Sequence, residues 1–195
     1  MANLALKSSA KQDSGIDPRR IKTLAAIQSA FFSFVLKKRY HEIKIDDIVA
    51  ASGIARSTFY EHYRSKDALL AASLTGPFQI LATSVREAPM SELEHNSIAD
   101  RLTQVLQHFW ENRGIARGIF LGDARRKLAP TLATCLEAEL KLSKARMTLP
   151  LALVSAAIAE TLLTMLTEWL LGRVSCAPEQ LALAIHKFAR VAFRV

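Results

Sequence analysis

Hydrophobic residues recur at three- and four-residue spacing along most of this chain, the period of helices that bury one face. The first such run, RRIKTLAAIQSAFFSFVLKK, sets Ile21, Leu24, Ala25, Gln28, Phe31, Phe32 and Val35 on one side. Asp17-Pro18 opens it, an acceptor at the N-cap followed by proline at the first helical position. Lys37, Lys38 and Arg39 gather at its end, where the helix dipole favours cations. A short helix, DDIVAAS, comes next, with Asp46 and Asp47 in its first turn and Ile48, Val49 and Ala51 available for burial. Gly53 supplies a permissive turn, and a second short helix begins near Arg56. Two short helices around a glycine turn, braced by a longer helix, describe a helix-turn-helix unit.

Downstream, Ser65 is placed to cap a fourth helix, with Asp67 in its first turn and Leu69, Leu70, Ser73 and Leu74 continuing it. Gly76-Pro77 is expected to kink or end that helix, because proline removes an internal hydrogen bond. Residues 88–97, APMSELEHNS, read as a loop, and IADRLTQVLQHFWENR as an amphipathic helix. Gly114, Gly118 and Gly122 are expected to interrupt the chain beyond that helix, and Pro130 to start a helix running to about Arg146. Residues 149–171 are long enough to cross a bilayer. Glu160, Thr164 and Glu168 fall on one stripe, however, and a carboxylate near the middle of a span costs about 2.5–3.5 kcal/mol. The pattern predicts a core or interface helix with a wet side. Gly172 ends it, and Pro178-Glu179 begins a last helix with Leu181, Ala184, Ile185, Phe188, Val191, Ala192 and Val195 on one face.

Composition supports an all-helical chain: half of its residues are hydrophobic, with only seven glycines and six prolines. The net charge of +8 favours an acidic partner, nucleic acid or an anionic surface. Residues 1–66 carry 12 Lys/Arg against 6 Asp/Glu, whereas the remainder carries 14 against 12, so the basic character belongs to the N-terminal third. Cys135 and Cys176 form no CxxC and lie near no histidine at ligand spacing, which argues against a disulfide framework or a metal site and fits a reducing cytoplasm. Residues 1–17 read as a flexible polar tail without the pattern of a signal peptide. No GxxxxGK[ST] order accompanies the glycines, so no nucleotide cofactor is expected.

Chemistry concentrates in the second short helix. With Phe59 taken as inward, Tyr63 falls beside it, while Ser57, Tyr60, Glu61 and Arg64 face outward, Thr58 lies on the flank and Arg56 reaches from the N-terminal end. An arginine at that end suits guanine O6 and N7 in a major groove, and Glu61 suits cytosine N4. Thr58, Tyr60, His62 and Lys66 suit phosphates, which position without reading sequence. Any one of these side chains alone is as well explained by a solvated face; their coincidence with the basic excess points to DNA.

The stretch IKIDDIVAASGIARSTFYEHYRSKDALL, residues 43–70, closely resembles the DNA-binding region of the TetR/AcrR family of bacterial transcriptional regulators. The match is strongest at Arg56-Ser57-Thr58-Phe59-Tyr60, His62-Tyr63, Lys66-Asp67 and Leu69-Leu70, and covers residues 18–70. Three positions depart from the pattern. Lys44 stands where threonine often caps the second helix, keeping a phosphate contact open. Ala55 stands where serine often caps the recognition helix, a change worth about 1 kcal/mol. Arg39 replaces the usual glycine or aspartate.

The resemblance implies a three-helix head at 18–64 and an effector-binding and dimerisation domain at 65–195, about nine helices together. It implies a homodimer on a palindromic operator with a small-molecule effector, and the leading expectation is a cytoplasmic repressor released by that effector. No Ser/His/Asp, paired-carboxylate or metal-ligand spacing is present, so no enzyme activity is expected, and the glutamates of residues 149–171 argue against a membrane partner. The alternative is the same DNA-binding head controlled by a protein partner, or acting architecturally. Phe78, His108, Phe109, Trp110, Phe120, Met147, Met165 and Trp169 are candidates to line an effector cavity, or else simply core. Ile158, Leu162, Met165, Leu181, Ile185, Phe188 and Ala192 are candidates for a four-helix dimer interface, or else burial within one protomer.

Overall fold

A computed structural model describes residues 17–87, 95–143 and 149–192, with side chains left aside at 87, 95–98 and 190–192. The N-terminal tail, the 88–97 loop up to residue 94, Met147 and the side chain of Ala192 therefore lie outside the description. The described residues form nine α-helices and no strand: α1 Pro18–Val35, α2 Ile45–Ser52, α3 Arg56–His62, α4 Lys66–Glu87, α5 His95–Glu111, α6 Arg113–Phe120, α7 Arg125–Leu140, α8 Leu151–Leu170 and α9 Pro178–Ala192. A single 3-10 turn, Tyr40–Glu42, joins α1 to α2.

Helix α1 starts as the sequence dictates, with the Asp17 carboxylate accepting from the Arg19 N–H at 2.9 Å. Its apolar face buries Ile27, Phe31, Phe32 and Val35 against α2 and the 3-10 turn. Phe31 meets Tyr40 edge-on at 6.3 Å. Helices α1–α3 make the head. Helices α4–α9 make the body, in which α7 packs between α4 and α8, and α9 covers α5 and part of α4.

At three places where the sequence predicts a helix to kink or end, to be interrupted, or to start, long-range packing carries the helix through. Helix α4 does not end at Gly76-Pro77; Pro77 lies inside it and is itself buried. Leu69, Leu70, Leu74, Phe78, Leu81, Ala82 and Val85 form one fully buried face along the whole helix, and that packing outweighs an internal proline's cost of about 3 kcal/mol. Gly114 and Gly118 lie within α6 rather than interrupting it, leaving Gly122 for the following turn. Pro130 does not start α7: the helix begins at Arg125, runs through Pro130 and closes at Leu140, short of Arg146. Leu128, Leu132, Leu136 and Leu140 supply its buried stripe.

Helices α4 and α8 are both long and apolar enough to cross a membrane by length and composition. Packing separates them. More than half of the apolar window of α4 is buried in the protomer (56%), against 33% for α8. On α8 the expected wet stripe is present, with Glu160 bonded to Arg125 at 3.0 Å and Glu168 to Arg173 at 3.0 Å. Both cysteines are free thiols.

Candidate nucleic-acid interface and its link to the body

The turn between α2 and α3 is set by Gly53, whose φ of 68° is the left-handed conformation glycine adopts without strain. Lys44 gives α2 no side-chain cap. The start of the helix is held instead by Asp47, which accepts from the Lys44 N–H at 3.4 Å and from the Lys38 ammonium at 3.0 Å. Those hydrogen bonds, from Lys38 first, outweigh desolvation and hold the Asp47 carboxyl below its ordinary range. Ala55 likewise offers α3 no cap. What anchors α3 is Phe59, fully buried, with Tyr63 at 5.9 Å and Tyr60 at 5.6 Å between ring centroids.

With Phe59 inward, Arg56, Ser57, Tyr60 and Glu61 are exposed on the other side of α3, Thr58 and His62 are half-buried at its margins, and Arg64, expected on the same face, is exposed beyond the helix end at His62. Lys44 is exposed at the neighbouring start of α2. Arg56 does not extend freely into solvent: it is ion-paired with Asp46, and its second terminal nitrogen lies 3.5 Å from the Tyr60 hydroxyl. Its guanidinium also sits 5.7 Å from the Tyr60 ring centroid. Lys66 departs from the expected placement. Its ammonium turns inward and donates to the Tyr40 carbonyl at 2.5 Å and the Ile43 carbonyl at 2.7 Å, over the Tyr40 ring. It ties the 3-10 turn to the start of α4, sharing the Tyr40 carbonyl with the Ile43 N–H that closes the turn. Burial pulls its pKa down, with Asp67 and Asp123 pulling the other way.

Behind this face lies a head-to-body junction that sequence reading missed. Asp123, in the turn between α6 and α7, accepts from the backbone N–H groups of Tyr40 at 3.0 Å and His41 at 2.8 Å. The same carboxylate meets His41 Nδ1 at 2.7 Å. Burial alone raises the Asp123 pKa, but the hydrogen bonds from His41 and Tyr40 prevail and lower it. The Tyr40 hydroxyl donates to Asp67 at 2.5 Å, and Lys127 of α7 pairs with Asp67 at 2.9 Å. Desolvation pushes Tyr40 upward, reinforced by Asp67. Asp67 is lowered on balance, its burial outweighed by Tyr40 and Lys127.

The apolar half of the junction rests on glycine. A Cβ at Gly118 meets Val35 Cγ1 at 2.7 Å and the Val35 carbonyl oxygen at 2.8 Å, so the end of α1 lies directly on α6. The spacing of Gly114, Gly118 and Gly122 was the available signal, legible as a close helix approach rather than as an interruption.

In the body, the candidate cavity residues separate. Phe78, Phe109 and Phe120 are fully buried, and Phe120 meets the other two rings edge to face, with Phe109 at 5.4 Å and Phe78 at 6.4 Å. Trp169 is buried against the partly exposed Trp110 at 5.0 Å, and Met165 is half-buried. His108 is half-buried, its Nε2 lacks a hydrogen-bond partner among the described residues, and burial lowers its pKa. None of these residues lines the cleft of about 240 Å³ that opens among α4, α5 and α9, whose walls include Ser84, Asp100, Thr103, Glu179 and His186.

The candidate interface residues also fall differently. Ile158, Leu162, Leu181 and Ile185 are buried inside the protomer, where they have almost no surface left to offer a second copy. Phe188 and Met165 are half-buried. The opposite side of α8 is the uncovered one: Leu149 just before the helix, then Ala152, Leu153, Ala156 and Ala157 are exposed. Periodicity located two apolar helices correctly but does not say which apolar side meets its own chain.

Residues 37–73 match the family described as "Bacterial regulatory proteins, tetR family". An uncharacterized HTH-type transcriptional regulator, YxbF, from Bacillus subtilis (strain 168) is 39% identical over 67 residues, 34% of this chain. The match takes in only 18% of that relative's length. Among solved structures, a TetR transcriptional regulator from Rhodococcus sp. RHA1 superposes with a TM-score of 0.54 at 13% identity, over 90% of this chain and 98% of its own. A TetR transcriptional regulator from Streptococcus agalactiae 2603V gives 0.52 at 23% identity, over 86% and 93%. These structural likenesses concern the fold.

Proposed function

We propose that this chain is a transcriptional regulator of the tetR type, as the match of its helix-turn-helix head supports, and that it works as a cytoplasmic homodimer that reads a palindromic operator through α3 and is released by a small-molecule effector. The observation that carries the DNA-reading part is the outer face of α3. Arg56, Ser57, Tyr60 and Glu61 stand exposed on a helix anchored by Phe59, with Arg64 exposed just beyond its end, within the matched segment and the basic third of the chain. Arginine at the N-terminal end of such a helix reaches base edges, and the flanking polar groups reach phosphates. On this reading the chain binds its ligands without turning them over.

Dimerisation is supported by the first half of α8, where Ala152, Leu153, Ala156 and Ala157 are exposed side by side and continue an exposed Leu149 just before the helix, both leucines being 56% exposed. An uncovered apolar helix face of this kind is covered in a two-fold assembly. Control by a small molecule is supported by His108 of α5, whose buried Nε2 has no hydrogen-bond partner among the described residues and whose pKa is lowered by burial, the kind of polar handle a ligand can take up. The packed Phe78, Phe109 and Phe120 cluster favours a second reading, control by a protein partner, because those rings already fill the interior.

The deciding experiment is binding of the purified protein to fragmented DNA of its own genome at two salt concentrations, with sequencing of the retained pieces. A short palindrome enriched near a promoter is the expected result. Retention without sequence preference that vanishes at the higher salt reduces the head to an electrostatic surface and sinks the proposal.

A further inference from the structure

Asp46 is an odd residue to find on a DNA-facing surface. It sits in the first turn of α2, exposed, on the same side as the N-terminal end of α3, where a carboxylate repels phosphates. Its partner is Arg56, the first residue of α3 and the side chain best placed to meet a base edge. The pair bridges the two helices of the unit across the Gly53 turn.

An exposed arginine samples many rotamers, and fixing it on DNA costs conformational entropy. Here two groups restrict it. Asp46 holds one terminal nitrogen, and Tyr60, one turn along α3, takes the other nitrogen at 3.5 Å while its ring lies 5.7 Å from the guanidinium. A guanidinium has five N–H donors, so these contacts leave donors free for a two-point contact. The carboxylate also offsets the charge with which Arg56 attracts any phosphate. Base reading is aided while sequence-independent attraction is lowered, both of which widen selectivity.

We propose that Asp46 is a positioning residue for base recognition: with Tyr60 it presets the Arg56 guanidinium toward one guanine in each half-site and suppresses sequence-independent binding. This rests on the DNA-reading function proposed above. The test is selection of bound sequences from a randomised double-stranded DNA pool by the full-length protein. The selected site and a scrambled duplex are then titrated at several salt concentrations.

Wild type is expected to select a palindrome with a strong guanine preference at one position per half-site. Asp46→Asn keeps the palindrome but weakens that preference about tenfold, binds the scrambled duplex more tightly, and steepens its salt dependence by about one counterion. Asp46→Glu, which keeps the charge, restores part of the preference. Arg56→Lys loses the guanine preference whatever stands at position 46. Because Asp46 is exposed, melting curves of the variants are expected to overlay that of wild type. A purely structural Asp46 predicts a lower melting temperature with unchanged base preference and salt slope, and that result overturns the proposal. Should wild type itself select no sequence, the DNA-reading function falls and takes the positioning role with it.

Discussion

The head and the body of this molecule are both helical and both closed by aromatic rings, yet they obey local signals differently. In the head, a glycine at positive φ, a buried Phe59 and short helices leave little room for another arrangement. In the body, two prolines and three glycines that signal helix ends or breaks sit inside helices. A seven-residue helix such as α3 has few contacts with which to override its turns. A 22-residue helix such as α4, buried along one face, has many. Long-range packing wins where the buried face is long.

The contrast is sharpest where it is broken by deletion. Phe59→Ala removes the anchor of α3 and is expected to cost about 3–5 kcal/mol, read as a lowered urea midpoint together with loss of operator binding. A stability loss under about 1 kcal/mol, well below the range for a buried ring, means that α3 is held by something other than Phe59.

Next come the glycines of the junction. Gly118→Ala gains helix propensity of about 1 kcal/mol, but its Cβ meets the Val35 backbone, which cannot rotate away. Gly118→Val is expected to cost about 1–3 kcal/mol, and Gly118→Ala to be destabilising despite the propensity gain. Gly114→Ala is the internal control. Its Cβ meets only the flexible end of Leu36 at 3.3 Å, so it should be neutral or stabilising. Equal thermal melts for the two alanine variants would refute the close approach of α1 to α6.

Asp123→Asn is expected to cost about 1–2 kcal/mol by weakening charge-assisted bonds to the 3-10 turn, and to weaken coupling between body and head. The sign with pH is set by the lowered carboxyl. A folded-state pKa below the ordinary 3.8 contributes stability that is present above 3.8 and lost as pH falls through the lower folded value. Asp67 adds in the same direction. Urea midpoints of wild type should therefore fall more steeply than those of Asp123→Asn as pH drops below about 4; parallel profiles count against the junction.

The smallest effects on folding are expected from two exposed positions with large effects on assembly. Arg56→Ala should change stability by less than about 0.5 kcal/mol while costing about 1–3 kcal/mol of operator affinity. Leu153→Arg should leave the protomer equally stable but shift sedimentation toward the monomer. An unchanged sedimentation coefficient at micromolar concentration rules out the α8 face as the dimer contact.

The amino-acid sequence by itself determined the helical class, the caps at Asp17 and Ser65, the Gly53 turn and the inward and outward sides of α3. All of these depend on residues within a few positions of one another, where propensity, capping and period act directly. Tertiary structure decided the rest. The continuity of α4 and α7 through proline, the apolar side of α8 left uncovered and the inward turn of Lys66 each depend on a surface contributed from elsewhere in the chain. Asp123 is the clearest case. Nothing near it in sequence marks it, because the N–H groups it satisfies belong to Tyr40 and His41, on the other side of the head-to-body junction. A hydrogen-bonding group buried by folding must find its partner in space, and only the folded chain says which one it is.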